Sequence, residues 1–282
     1  MSSVNPKSLA LDHLGLVAGM YDELGIGQSI DAAIRQDANK RNLSLGQAVK
    51  AMVLNGLGFV NQNLYLIPHF FSKKPTEALI GADILPEHIN DDVLGRALDA
   101  LYDYGVTDLF YSTAIKAVKA LNLSPTMAHL DSTSFHADGD YADSSEDSKS
   151  VHITWGYSRD HRPDLKQVIL NLVVENQAGI PLLMKPSDGN SQDKKGFREL
   201  INQHVDQFKQ GTPVDYIVAD SALYSEETLQ DMSHYETHWI TRVPETIKQA
   251  KEAIDQANES DMIIFDDNYR VHPLTNNYGD VA

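Results

Sequence analysis

The sequence contains no cysteine. That excludes disulfides, thiolate zinc sites and cysteine nucleophiles, and leaves carboxylate and histidine as the groups able to hold a metal. No apolar run approaches the roughly 18 residues of a membrane span. The first residues, Met1-Ser2-Ser3-Val4-Asn5-Pro6-Lys7, lack the apolar block of a signal peptide, so a cytoplasmic protein without membrane attachment is expected. Positive charge is also scarce, with 23 Lys+Arg against 40 Asp+Glu and a formal net charge of −17. Residues 1–125 hold 10 basic against 13 acidic residues, a balance of −3, and residues 126–282 hold 13 against 27, a balance of −14. Such a balance argues against a polyanionic partner, because phosphate contacts need Lys and Arg. Local basic clusters can still act against the net charge.

What is present is enough apolar material, 42% of 282 residues, for one large domain or two ordinary ones. Residues 7–125 read as helices almost throughout. Leu9, Leu11, Leu14, Leu16, Val17, Met20 and Leu24 form a mostly helical stripe that Gly25-Ile26-Gly27 stops. Ser44 is placed to cap a helix through Ala48, Val49, Met52 and Val53, and Asn90 to cap another through Leu94, Ala97 and Leu101 that Gly105 closes. A further helix runs from Thr107-Asp108 to Leu121. The expectation is a helical module over 1–125 with small basic spots at Lys40-Arg41, Lys73-Lys74 and Lys116/Lys119, none of which is a recognition-helix signature.

At Leu123-Ser124-Pro125-Thr126 the periodicity turns strand-like, and a second domain over 126–282 is expected. Strand patterns cover Met127–His136, Val151–Tyr157, Gln167–Val174, Ile180–Lys185, Tyr216–Ala219 and His238–Val243, with helical patterns after Asp193, over Glu226–Met232 and over 245–257. With Val151–Tyr157 and Gln167–Val174 counted as one stretch of strand material, the order β-β-β-α-β-α-β predicts a mixed sheet with helices on its faces, an α+β or α/β fold behind the helical module. Asp138 to Ser148 is acidic and serine-rich and reads as a mobile loop, and residues 262–271 read as the start of a hairpin.

Two stretches share a design. Ala128-His129-Leu130 ends in Asp131-Ser132, and Ile217-Val218-Ala219 ends in Asp220-Ser221. Aspartates at the ends of two buried strands would project from one sheet edge, where open α/β sheets bind ligands, and two hard oxygen ligands there suit Mg²⁺. An aspartate closing a strand can equally bond backbone N–H groups of its own turn. Arg159, His161, Arg162 and Lys166 form a basic segment able to contact phosphates, or a solvated connection with salt bridges to Asp160 and Asp164. His129, His136 and His152 match no zinc spacing; Trp155 and Trp239 read as core residues, and Glu226-Glu227 as glutamates favoured at a helix N-terminus.

Several of these segments together resemble bacterial insertion-sequence DDE transposases of the branch with a helical front domain. They are Asn90-Asp91-Asp92-Val93-Leu94-Gly95-Arg96, Leu130-Asp131-Ser132-Thr133, Gly156-Tyr157-Ser158-Arg159-Asp160-His161-Arg162-Pro163-Asp164-Leu165-Lys166-Gln167 and Val218-Ala219-Asp220-Ser221-Ala222. The resemblance implies a ribonuclease-H-like core, and DNA cleavage and strand transfer with Mg²⁺ or Mn²⁺ held by Asp, Asp and Glu. Asp131 looks like the first carboxylate and Asp220 like the second. The glutamate is expected after a β-rich insertion that residues 246–282 resemble in its beginning. A core incomplete at its C-terminal end, and inactive by itself, is therefore the expectation. The partners implied are the DNA ends of the element, as a nucleoid-associated protein, and a second copy or an intact transposase. Two other readings stay open: a non-catalytic regulator that binds DNA or transposase, and a Mg²⁺-dependent phosphohydrolase, which the acidic charge favours.

Overall fold

The computed structural model describes residues 8–36, 41–141, 150–158, 161–211, 214–258 and 261–274. It divides between Asn122 and Leu123 into two units. Among the described residues no helix is long and apolar enough to cross a membrane.

In the first unit, α1 (Leu14–Glu23) buries Leu14, Ala18 and Tyr21, a four-then-three spacing that sets one face inward. Leu9 and Leu11 precede this helix, and Leu16 is 80% exposed, so the expected stripe is shorter than its apolar residues suggested. Gly25 takes a left-handed φ of 65°, and the chain re-enters a helix at once as α2 (Ile26–Ala33), where the sequence had suggested only a stop. Glycine permits both the reversal and the close approach that follows. A Cβ on Gly46 would lie 2.4 Å from the carbonyl oxygen of Gly27, so α2 meets α3 (Leu45–Gly56) backbone to backbone. The start of α3 is a capping box: the Gln47 N–H donates to Ser44 Oγ at 3.1 Å and the Ser44 N–H to Gln47 Oε1 at 2.9 Å.

Two short helices follow, α4 (Ile67–Ser72) and α5 (Thr76–Leu79), both missed in the sequence because six and four residues carry too little periodicity. Then α6 (Asp91–Tyr104) is capped by Asn90, whose Oδ1 accepts from the Val93 N–H at 3.0 Å, and Gly105 passes the chain to α7 (Val106–Ala120). The core holds Leu14, Leu45, Leu54, Ile67, Phe71, Leu79, Ile89 and Leu94. Each such side chain contributes about 1.5–3 kcal/mol by leaving water. Lys50 is buried with its ammonium 2.7 Å from the Asp22 carboxylate, so the buried charge is paired.

The second unit is built on a five-stranded sheet of order β3-β2-β1-β4-β5. Its strands are β1 (Met127–Ala137), β2 (Lys166–Glu175), β3 (Pro181–Ser187), β4 (Tyr216–Ala219) and β5 (His238–Thr241). The first three form an antiparallel meander, and β4 and β5 lie parallel to β1. Parallel neighbours need crossovers. These are α8 (Asp193–Gly211) before β4 and α9 (Glu226–His234) before β5, which gives the β-β-β-α-β-α-β order read from the sequence. Beyond the sheet come α10 (Lys248–Gln256) and a small hairpin of β6 (Ile263–Ile264) with β7 (Arg270–Val271).

Alternation sorts the sheet into two faces. Ala128, Leu130 and Ser132 are buried on one face with Ile169, Asn171 and Val173 beside them. Gly196 of α8 comes so close to this face that a Cβ there would be 3.3 Å from Asn171 Oδ1. His129, Asp131, Thr133 and Phe135 occupy the other face and are exposed. The β2–β3 turn is fastened by Glu175, which accepts from the N–H groups of Gln177, Ile180 and Ala178 at 2.6, 2.7 and 2.8 Å. Burial alone would push its carboxyl up, and those N–H groups together outweigh it and hold the pKa below the ordinary glutamate range.

Two sequence expectations change here. Val151–Tyr157 is not a strand and makes one bridge, Thr154 to Gln167. The reason is a tight crossing: a Cβ on Gly156 would lie 1.9 Å from the Gly189 carbonyl, and Gln167 Nε2 donates to that same oxygen at 2.8 Å. Trp155 is 60% exposed rather than core, with the Lys166 ammonium 4.7 Å from its ring centroid. Of the expected acidic loop, residues 142–148 lie outside the described residues.

Candidate functional site

The register between β1 and β4 positions the site. Met127 is opposite Tyr216, and the pairing runs to Leu130 opposite Ala219. The next residue of each strand is Asp131 and Asp220, so the two carboxylates follow adjacent in-register positions on strands about 4.8 Å apart. The alternation puts both on the open face, beyond His129 and Val218, and both are exposed. This is the carboxyl end of β4, the kind of edge at which open sheets of this class bind ligands.

Each carboxylate is held through one oxygen. The Ser132 N–H donates to Asp131 Oδ1 at 2.7 Å and the Ala222 N–H to Asp220 Oδ1 at 2.9 Å. These are the local turn bonds that aspartates closing strands commonly make. The Asp220 carbonyl accepts from the Thr241 hydroxyl at 2.5 Å and from the Leu223 N–H at 3.1 Å, which ties the end of β4 to β5 and to its own turn. Ala219 is opposite Thr241, so Arg242, the residue after that strand, follows at the position matching Asp220 and is exposed. Sequence reasoning missed Arg242. The signal was a third strand run ending in a charged residue at the matching offset.

Among the described residues no group of three or more His, Cys, Asp or Glu side chains converges as a metal site. The donor set at the strand ends is thus two hard carboxylates. It fits one small divalent ion that keeps most of its waters, and it does not by itself fit two. Glu226 lies in the first turn of α9, and its Oε1 accepts from Gln230 Nε2 at 3.4 Å.

The basic segment is arranged differently. Arg159 lies outside the described residues. His161 takes a left-handed φ of 57°. Arg162 forks onto Asp164, Nε to Oδ1 at 2.9 Å and Nη2 to Oδ2 at 2.8 Å, and that guanidinium holds the Asp164 carboxyl below the usual range. Lys166 Nζ donates to the carbonyls of Asp140 and Tyr141 at 2.8 and 2.7 Å. Lys166 is opposite Ala137, and Leu172 is opposite Asp131. Six residues of strand therefore separate this segment from the aspartates, about 20 Å at ~3.4 Å per residue. His136 Nε2 is 3.1 Å from Ser158 Oγ, and His129 and His152 are exposed.

A family model described as Transposase DDE domain matches residues 125–277. A second, described as Domain of unknown function (DUF4277), matches residues 6–115. No curated protein matches the chain. Among solved structures, the chain is similar to a piggyBac transposase in a synaptic complex with hairpin DNA, at 10% identity and a TM-score of 0.36. That similarity covers 85% of this chain and 45% of the other, so the chain spans less than half the length of that structure.

Proposed function

This chain belongs to the DDE transposase family, and from that premise we propose that its second unit acts on DNA phosphodiesters in transposition, with Asp131 and Asp220 as ligands of Mg²⁺ or Mn²⁺. The observation that supports the reading is the register of β1 on β4, which brings Asp131 and Asp220 to matching positions just past the last paired residues, both exposed. DDE transposase domains generally use divalent metal ions, which when bound polarise the attacking and leaving oxygens of an in-line phosphoryl displacement. The chain's own residues do the positioning. Backbone N–H groups fix one oxygen of each aspartate, Thr241 fixes the carbonyl of Asp220, and Arg242 offers a planar donor fork beside the carboxylates for a phosphate oxygen. In this reading the protein works in the cytoplasm on the nucleoid, as a dimer or with an intact transposase, and the first unit helps engage the element's ends.

Two carboxylates retain an ion weakly. The expected behaviour of this chain is therefore weak Mn²⁺ binding and little or no nicking until a further carboxylate joins the pair. Metal binding by calorimetry, beside nicking of supercoiled DNA by this chain and by a longer version with a third carboxylate, tests the assignment. Asp131→Asn and Asp220→Asn should each weaken Mn²⁺ at least tenfold and abolish nicking in the longer version. Nicking that survives Asp131→Asn eliminates the role given to that residue.

The same two-carboxylate set favours a second reading, a non-catalytic binder that occupies DNA ends or pairs with an intact transposase. Binding to terminal DNA in EDTA that falls steeply with salt, without nicking in any metal, would support it.

A further inference from the structure

The first unit contains three arginines, Arg35, Arg41 and Arg96, and all three line one cleft of about 480 Å³. They come from different elements. Arg35 follows α2, Arg41 precedes the cap of α3, and Arg96 stands on α6. His88 and Asn42 also line the cleft, and Glu87 is the one acidic residue among its lining.

The walls of the cleft are fixed. Gln36 Nε2 donates to Asp31 Oδ1 at 2.8 Å, the Gly46 N–H donates to that same oxygen at 2.7 Å, and the Leu45 N–H donates to Gln36 Oε1 at 2.8 Å. These bonds clamp the end of α2 to the start of α3, and with them the two positions that carry Arg35 and Arg41. The Asn90 cap fixes the start of α6, less than two turns before Arg96.

The guanidiniums have no carboxylate partner among the described residues, although Asp92 lies one helical turn before Arg96 and Glu87 lines the same space. Three like charges facing one cleft repel each other, so the arrangement is disfavoured until an anion enters. Arginine forks match phosphate oxygens in geometry as well as charge. The volume is that of a site for a nucleotide-sized group rather than a lone small ion.

We propose that this cleft binds phosphate groups of a nucleic-acid backbone, which makes it the anion site of a unit whose family description assigns no function. The choice of nucleic acid over a free polyphosphate rests on the transposition reading above. The phosphate chemistry of the cleft does not.

The test uses the full chain and a fluorescently labelled duplex oligonucleotide, with anisotropy followed across KCl concentrations in EDTA. Replacing all three residues by glutamine, Arg35→Gln, Arg41→Gln and Arg96→Gln together, should lower affinity at least tenfold at low salt. It should also flatten the slope of log K against log salt by two to three, about 0.9 per lost phosphate contact. The corresponding triple lysine variant should recover the slope, since it keeps the charge, and equal melting temperatures would exclude loss of fold. An unchanged slope in the glutamine variant, or a lysine variant no better than the glutamine one, overturns the proposal. Inorganic pyrophosphate that raises the melting temperature of the wild type but not of the glutamine variant, with equal DNA binding by both, assigns the cleft to a free polyphosphate and overturns the nucleic-acid assignment. Mn²⁺ binding by an Asp131→Ala/Asp220→Ala variant is measured in parallel. Wild-type DNA binding by the glutamine variant, together with lost Mn²⁺ binding by the aspartate variant, sinks this inference and leaves the transposition reading standing. Lost DNA binding by the first, with unaltered Mn²⁺ binding by the second, does the reverse.

Discussion

Arg35, Arg41 and Arg96 of the helical unit contrast with Arg162 and Arg198 of the sheet unit. In the helical unit all three border one cleft without a carboxylate partner among the described residues. In the sheet unit Arg162 is forked onto Asp164, and Arg198 Nε donates to Asp231 at 2.7 Å. A net charge of −17 therefore says little about where positive charge is available. What decides it is whether an acidic side chain lies within reach of each guanidinium, as Asp164 does for Arg162 and Asp231 for Arg198. The units differ in their cores as well. The helical unit closes around large side chains buried from several helices, whereas the sheet unit buries one face of β1 and leaves the other exposed.

The largest expected effect breaks the contrast in packing. Phe71→Ala empties the centre of the helical core, where the ring is fully buried, and should destabilise that unit by about 3–5 kcal/mol. Urea unfolding should show the loss in the transition of the helical unit. A transition common to the whole chain, shifted as one, would mean that the units unfold together.

Next comes the turn of the sheet unit. Glu175→Ala removes a buried carboxylate that accepts from three backbone N–H groups of an exposed turn and should cost about 1–3 kcal/mol. The sign with pH follows from the lowered carboxyl. A depressed folded-state pKa adds stability above the unfolded value of about 4.3 and loses it as pH falls through the folded value. The wild type should therefore lose stability below about pH 4.5 more steeply than Glu175→Ala, as acid-dependent urea midpoints would reveal. Parallel acid profiles would contradict the assignment.

The smallest effect sharpens the contrast in charge. Asp164→Ala releases Arg162, and the salt slope for duplex DNA should steepen by about one phosphate contact, with the urea midpoint unchanged. A slope that does not move would mean that Arg162 lies away from the DNA path.

Some of this architecture was legible because it is local chemistry. Ser44 and Asn90 cap helices through bonds to residues three positions on, so short sequence windows contain the whole cause. The β-β-β-α-β-α-β order was legible because the apolar period changes between two and 3.6. α2 was hidden behind Gly25, which usually signals an end, and α4 and α5 were too short to show a period. Val151–Tyr157 has strand-forming residues, yet the Gly156–Gly189 crossing leaves room for one bridge only, and that crossing joins positions 33 apart. At the candidate site, each aspartate could be read as the end of a strand. That β1 and β4 are neighbours could not, since it depends on α8 carrying the chain back to β1. The convergence of Arg35 and Arg41 with Arg96 has the same origin, an encounter between segments that carry no mark of each other.

Asp131 and Asp220 stand at equal offsets from the first paired residues of their strands, Met127 and Tyr216. Their meeting is kept by a tally of residues, not by any bond between them. Side chains in a strand change face at every step. A single codon inserted within either run would therefore turn one carboxylate inward toward the layer occupied by Leu130, while leaving the composition, the charge and both short motifs intact. Related chains can thus differ freely in the loops around these strands but hardly at all in the lengths of the strands themselves.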